Sequence, residues 1–198
     1  RWYLQAARSA GDDAGLAERA TRIALLATDS RIAADAFALW KARAPRTLAM
    51  RGAEATLAMR QGKTGDALHG VESLLRDPDK DGWRYALGAL DGGKDDKRAA
   101  QVLGRIIDDG AIPRDLQAWL AFGGFAQRIG TPALAERIVG EVVRRFPGEP
   151  RVALLRAAQL REAGKPDDAR KALEGVRAQA AKDPDLRLAL AAEYDALG

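Results

Sequence analysis

Residues 62–67 read GKTGDA, and near-copies of this stretch return as GTPALA at 130–135 and GKPDDA at 164–169. The copies start 68 and 34 residues apart, and both separations are multiples of 34. Prolines keep the same period, at positions 45, 113 and 147. So many coincidences at a single spacing indicate that the chain is built from an internal repeat of 34 residues.

The stretches between these copies have the apolar pattern of amphipathic helices. LAERATRIALLA at 16–27 and RVALLRAAQLREA at 151–163 carry apolar residues at i, i+3, i+4 and i+7, which places them on one helix face. Within each copy, the glycine can end a first helix. The alanine lets a second helix cross it closely, because a larger side chain would hold the two apart. Each repeat is therefore predicted to be a pair of helices.

This pattern resembles the tetratricopeptide repeat (TPR) family. That family's first-helix aromatic, early glycine or alanine, mid-repeat glycine, second-helix alanine and closing proline stand here as Trp119, Gly123, Gly130, Ala135 and Pro147. The resemblance covers essentially the whole chain. It implies an all-α fold, namely a right-handed α-solenoid of antiparallel helix pairs with about five full repeats and a half repeat at each end.

The repeat register divides the chain into full repeats at 14–47, 48–81, 82–115, 116–149 and 150–183. Residues 1–13 are then the second helix of an earlier repeat, with Tyr3 and Ala6 at its packing positions. Residues 184–198 are the first helix of a further repeat. We expect a single superhelical domain over 1–198 that is a piece of a longer array.

The third repeat, 82–115, departs from the pattern. Gln101 stands where alanine is expected, and a shift of one residue brings Ala100 into that role. Glycine weakens a helix by about 1 kcal/mol relative to alanine, and the first helix of this repeat contains glycines at 88, 92 and 93. We interpret the repeat as a short, frayed helix pair. The alternative is a hinge that changes the curvature of the array at a binding site.

The residue types exclude several kinds of chemistry. The chain has no cysteine and one histidine, His69, so thiol nucleophiles and Cys/His zinc sites cannot be built. The string Gly88–Lys94 satisfies GxxxxGK, but Asp95 follows where a phosphate loop needs Ser or Thr, and the local pattern is helical on both sides. We interpret most of the acidic doublets at helix boundaries as helix N-caps or solvated loop residues, the doublets being Asp12-Asp13, Asp95-Asp96, Asp108-Asp109 and Asp167-Asp168. We expect no catalysis, no cofactor and no metal site.

Positively and negatively charged residues are interspersed along the chain, with no long run of one sign. The chain has 32 Lys+Arg against 28 Asp+Glu, a net charge of +4. Interspersed signs argue against a nucleic-acid partner. No apolar run reaches the roughly 18 residues that a membrane span needs, so we expect no membrane span in this chain.

The family resemblance also implies a binding surface, because the first helices of TPR arrays line a concave groove. Transferring the groove-facing repeat positions to this chain gives the candidate partner-binding residues Arg22, Met59, Arg60, Trp83, Leu90, Gln117, Leu120, Gln127, Arg128, Arg151, Leu154 and Arg161. Apolar anchors mixed with arginines suit an extended peptide or a helix of acidic character. The alternative is that many of them, the leucines above all, pack between helices. We expect Trp40 and Trp119 in the core and Trp83 exposed.

A finer resemblance covers residues 3–45. Ala17-Glu18-Arg19-Ala20, Arg22-Ile23-Ala24, Leu39-Trp40 and Pro45 resemble the early repeats of Gram-negative outer-membrane TPR lipoproteins. Those proteins are periplasmic adaptors that hold a carboxy-terminal processing protease and deliver cell-wall hydrolases to it. The resemblance implies a non-catalytic scaffold in the periplasm, anchored to the outer membrane through a segment outside this chain.

Two other functions stay open from the sequence. The chain could be the substrate-recruiting TPR arm of a larger enzyme, such as a glycosyltransferase, or a helical array that binds RNA. The complete reading frame would decide the first. A binding constant insensitive to salt would exclude the second.

Overall fold

The computed structural model describes residues 2–27, 29–44 and 46–198, and within them every regular element is helical. The helices are α1 (Trp2–Ser9), α2 (Ala14–Leu26), α3 (Ser30–Arg43), α4 (Leu48–Arg60), α5 (Thr64–Leu75), α6 (Gly82–Gly92), α7 (Asp96–Asp108), α8 (Leu116–Arg128), α9 (Pro132–Arg145), α10 (Pro150–Glu162), α11 (Pro166–Glu174), α12 (Arg177–Ala180) and α13 (Pro184–Leu197). Consecutive helices pack together from α1 to α7, and so do α9 with α10, α10 with α11, and α12 with α13. This confirms the all-α, TPR-like α-solenoid fold class.

The helix starts reproduce the 34-residue register. First helices begin at Ala14, Leu48, Gly82, Leu116, Pro150 and Pro184. Side chains that accept a hydrogen bond from the backbone of the first turn fix several starts, as Asp13 does from Leu16 N at 3.0 Å and Asp95 from Arg98 N at 2.9 Å. The interpretation of acidic residues as helix caps is therefore confirmed at these two doublets.

A buried alanine recurs at the same place in the second helix of each full repeat. It is the fourth residue of every second helix, at positions 33, 67, 99, 135 and 169. In the third repeat, α7 begins at Asp96, two residues earlier than the period requires, and the longer connection 109–115 restores the register. The prediction that Ala100 takes the crossing position is therefore wrong: Ala99 takes it, and Gln101 is exposed.

The turn after α6 holds a residue in an unfavourable backbone conformation. After α4, α8 and α10 the corresponding positions are Gly62, Gly130 and Gly164, all with positive φ. After α6 the position is Lys94, with φ 55°. A side chain in this left-handed region is strained, because its Cβ approaches the following carbonyl oxygen.

Replacing Lys94 by glycine is expected to raise the free energy of unfolding by about 0.5–1 kcal/mol, because relief of the backbone strain exceeds the extra entropy that glycine loses on folding. Urea unfolding followed by circular dichroism measures the shift. The reciprocal variant Gly130→Lys should lower stability by a similar amount. Unchanged midpoints in both variants would contradict the assignment of strain to this position.

The first helix turns a different face to the core than predicted. Leu4 and Ala7 are buried, whereas Tyr3 and Ala6 are exposed, so the predicted packing positions are wrong by one residue. One residue corresponds to a rotation of 100° about the helix axis. Leu4 and Ala7 join a core cluster built from α1, α2, α3 and α4.

The chain packs as two compact units, one up to Thr131 and one from Pro132 to Gly198. The second unit has its own core cluster, which includes Ala157, Leu173 and Leu190. In this unit the second helix of the fifth repeat stops at Glu174, and the short α12 follows it. The single superhelical domain over 1–198 stays a prediction.

Candidate functional site

The first helices α4 and α6 are in close contact. A Cβ added at Gly92 would lie 2.9 Å from Thr56 Cγ2, and one added at Gly93 would lie 2.8 Å from Met59 Cβ. Real Cβ contacts are longer than this, so two helices approach so closely only where glycine is present. Gly92 and Gly93 are thus packing positions, which the interpretation as a frayed helix pair did not foresee. A hinge at this repeat stays a hypothesis.

Three of the predicted groove residues on α4 and α6 are buried. Met59 is 0% exposed, Leu90 1% and Trp83 8%. The expectation that Trp83 is exposed is wrong, and the Arg84 guanidinium lies 4.6 Å from the centre of its ring. For Met59 and Leu90, the alternative that they pack between helices is the one that the structure supports. Trp119 is fully buried, as expected.

Arg60 is the fourth predicted groove residue on α4 and α6. Its side chain links α4 to two other first helices, α2 and α6. Its Nε donates to Gly92 O at 2.8 Å, and its Nη2 donates to Leu25 O at 2.6 Å. Both oxygens belong to the last turn of their helices, and Arg60 itself is the last residue of α4. Helix C-termini carry partial negative charge, so a cation among three of them is stabilised. Burial lowers the pKa of Arg60.

Arginine bonds to the last carbonyls of neighbouring helices recur along the chain. Arg43 donates to Ala7 O at 2.7 Å, and Arg98 donates to Met59 O at 2.7 Å. This structural role of arginine was not predicted, and Arg60 was expected at a partner-binding position instead. The available signal was an arginine at or near a helix end, where a long side chain reaches the adjacent helix terminus.

One first helix carries most of the predicted residues that are exposed. On α8, Gln117, Leu120, Gln127 and Arg128 all lie at the surface, with Leu120 37% exposed. Their spacing places them within about 100° of one another around the helix. Gly124 lies between them, and a Cβ added there would meet nothing within 4 Å. We call this surface, formed by these five residues, the α8 face.

The α8 face offers three kinds of contact. Leu120 provides apolar area, the two glutamines provide amide donors and acceptors, and Arg128 provides a positive charge. Arg128 also lies 3.6 Å from Asp91 and 5.4 Å from the ring centre of Phe125. That ion pair is exposed on both sides and contributes little to stability, so a partner carboxylate can replace Asp91 at small cost.

The remaining candidates are scattered. Arg22 on α2 is exposed and pairs with Glu18 at 2.9 Å. In the second unit, Arg151 is exposed, Leu154 is half-buried against the core, and Arg161 donates to a Glu193 oxygen at 3.1 Å.

The structure supplies no positive sign of catalytic or metal chemistry in the residues it describes. Gly88–Gly92, the start of the GxxxxGK string, is helical and follows no strand. His69 is exposed on α5. Across 2–27, 29–44 and 46–198, no group of three or more His, Asp or Glu side chains could hold a metal ion. Nor does any helix of those ranges have the length and apolar character that crossing a membrane requires.

The tetratricopeptide repeat family model matches residues 70–198. Because the match spans more than half of the chain, the protein belongs to this family, whose repeats generally mediate protein–protein interaction. Comparisons with curated proteins and with solved structures gave no match.

Proposed function

We propose that this protein is a non-catalytic scaffold that binds a protein partner at the α8 face. The observation that carries the proposal is the contrast between first helices. On α4 and α6 the predicted groove residues Met59, Trp83 and Leu90 are buried, whereas on α8 the predicted residues are exposed. A partner segment with an apolar side chain beside a carboxylate fits Leu120 and Arg128.

More specifically, we propose that the protein is a periplasmic adaptor, anchored to the outer membrane through a segment outside this chain. It brings a carboxy-terminal processing protease together with its cell-wall hydrolase substrates. The resemblance of residues 3–45 to lipoprotein adaptors supports this. Such a scaffold acts through proximity: two molecules bound to one body meet at a raised effective concentration, and the scaffold does no chemistry itself.

The test is a pull-down from Gram-negative envelope extract with the chain as bait. The double variant Leu120→Asp/Arg128→Glu changes the α8 face. The control Gln101→Asp/Arg105→Glu makes the same change of net charge on exposed positions of α7. Circular dichroism first establishes that both variants are folded.

We expect the unchanged chain and the α7 control to recover a carboxy-terminal processing protease or a cell-wall hydrolase. The α8 variant should recover at least tenfold less, which corresponds to about 1.4 kcal/mol of binding free energy. Equal recovery by both variants would move the binding surface away from α8. Recovery of neither class of protein by the unchanged chain would contradict the adaptor role.

A further inference from the structure

The first repeat packs on the second through contacts of α2 and α3 with α4. Between α3 and α5 lies a cleft of about 520 Å³ whose floor is α4. Ala34 and Phe37 line it from α3, Ala58 from α4, and His69 from α5. We call α1–α3 the wing and α4–α7 the block. Within the block, glycines bring α4 and α6 into contact.

Apolar contact between wing and block runs along one stripe of α4. Met50, Ala53 and Leu57 belong to the core cluster that includes Phe37 and Trp40 of the wing. These three residues are spaced at i, i+3 and i+7, so they form a narrow line along the helix. A wing that packs on a line can rotate about it while keeping its apolar contacts.

Two polar contacts between wing and block lie on opposite sides of this stripe. By the 100° step of an α-helix, Arg60 lies on one flank and Glu54 on the other, the flank of the cleft. Arg60 Nη2 donates to Leu25 O of the wing at 2.6 Å. Lys41 Nζ of the wing donates to Glu54 Oε1 at 2.8 Å. Burial raises the pKa of Glu54, but Lys41 and Arg46 together bring it below its usual value, so the carboxylate stays charged.

We propose that the wing rocks on the block about the Met50–Leu57 stripe, with the Arg60–Leu25 and Lys41–Glu54 contacts as opposing latches. A rotation that widens the cleft stretches the Lys41–Glu54 pair, and a rotation that narrows it stretches the Arg60–Leu25 bond. In the described part of the chain, Nη1 of Arg60 is buried without a hydrogen-bond partner. This nitrogen gains water when the Arg60 latch opens, which lowers the cost of the movement.

Rocking of the wing on the block is a property of the isolated chain, so it can be measured without a partner. Since the sequence has no cysteine, spin labels can be attached at chosen introduced cysteines only. Ala38→Cys/Gln101→Cys reports the distance from wing to block, at two exposed positions on α3 and α7. His69→Cys/Gln101→Cys, within the block, is the matched control.

Pulsed electron paramagnetic resonance should give opposite shifts for the two latches. Arg60→Met should shorten the mean distance from wing to block, and Lys41→Met should lengthen it, while the distance within the block stays unchanged in both. Shifts of the same sign, no shift, or a shift of the control pair would overturn the proposal. If Arg60→Met does not fold, the sign found for Lys41→Met decides alone, since its side chain is largely exposed and its loss leaves the core intact.

Discussion

Replacing Trp119 by alanine is expected to lower the free energy of unfolding by about 3–5 kcal/mol, the range for removing a large aromatic side chain from a packed core. Trp119 is 0% exposed, and Phe122 and Phe125 of the same helix are buried with it. The indole Nε1 also donates to Pro113 O at 3.0 Å, which fixes the connection that leads into α8. The substitution therefore removes both the core volume and the anchor of this connection.

Urea unfolding followed by circular dichroism measures the loss. Leu120→Ala, the adjacent residue on the exposed side, is the matched control and should cost less than about 1 kcal/mol. Trp119→Phe keeps an aromatic ring but removes the donor, so its loss should fall between the two. A loss for Trp119→Ala no larger than that for Leu120→Ala would show that the indole does not anchor the fold.

The sequence was sufficient to predict the repeat and its helix register, and the reason is physical. Helix lengths in a stacked array are set by the need to keep each pair in contact with the next, so glycine and proline return at a fixed period. The six predicted starts of first helices, from Ala14 to Pro184, therefore coincide with the structure. In the third repeat, α7 begins two residues before the position that the period requires, and the longer connection 109–115 makes up the difference. The total length of the repeat therefore stays at 34 residues, and the period alone does not reveal that Ala99 takes the alanine position.

The candidate site was only partly predictable, because a positional rule treats each first helix alone. Whether Met59 or Leu90 faces a groove depends on how closely α4 and α6 approach, and Gly92 at the end of α6 and Gly93 directly after it permit that close approach. The sequence contains the glycine pair, but from one helix alone glycine indicates only a lower helix propensity. That a second helix packs against the pair follows only from the tertiary structure. On α8 a Cβ added at Gly124 would meet nothing within 4 Å, and there the rule placed the predicted residues at the surface.

A second large effect is expected from two glycines of α6, one at its start and one in its middle. A Cβ added at Gly82, the first residue of α6, would overlap the Leu74 carbonyl oxygen, which is backbone and cannot turn aside. A Cβ added at Gly88, in the middle of α6, would meet nothing within 4 Å. Gly82→Ala must therefore displace α6 from the end of α5, whereas Gly88→Ala only improves a helix position.

We expect Gly82→Ala to destabilise the protein by about 2–3 kcal/mol, as overpacking against a fixed atom does. Gly88→Ala should stabilise it by about 0.5–1 kcal/mol, because alanine loses less backbone entropy than glycine in a helix. Denaturant midpoints of the two variants, measured against the unchanged chain, give both signs in one experiment. If both substitutions were neutral or both stabilising, α6 would not be held against Leu74, and the burial of Trp83, the residue that follows Gly82, would lose its structural explanation.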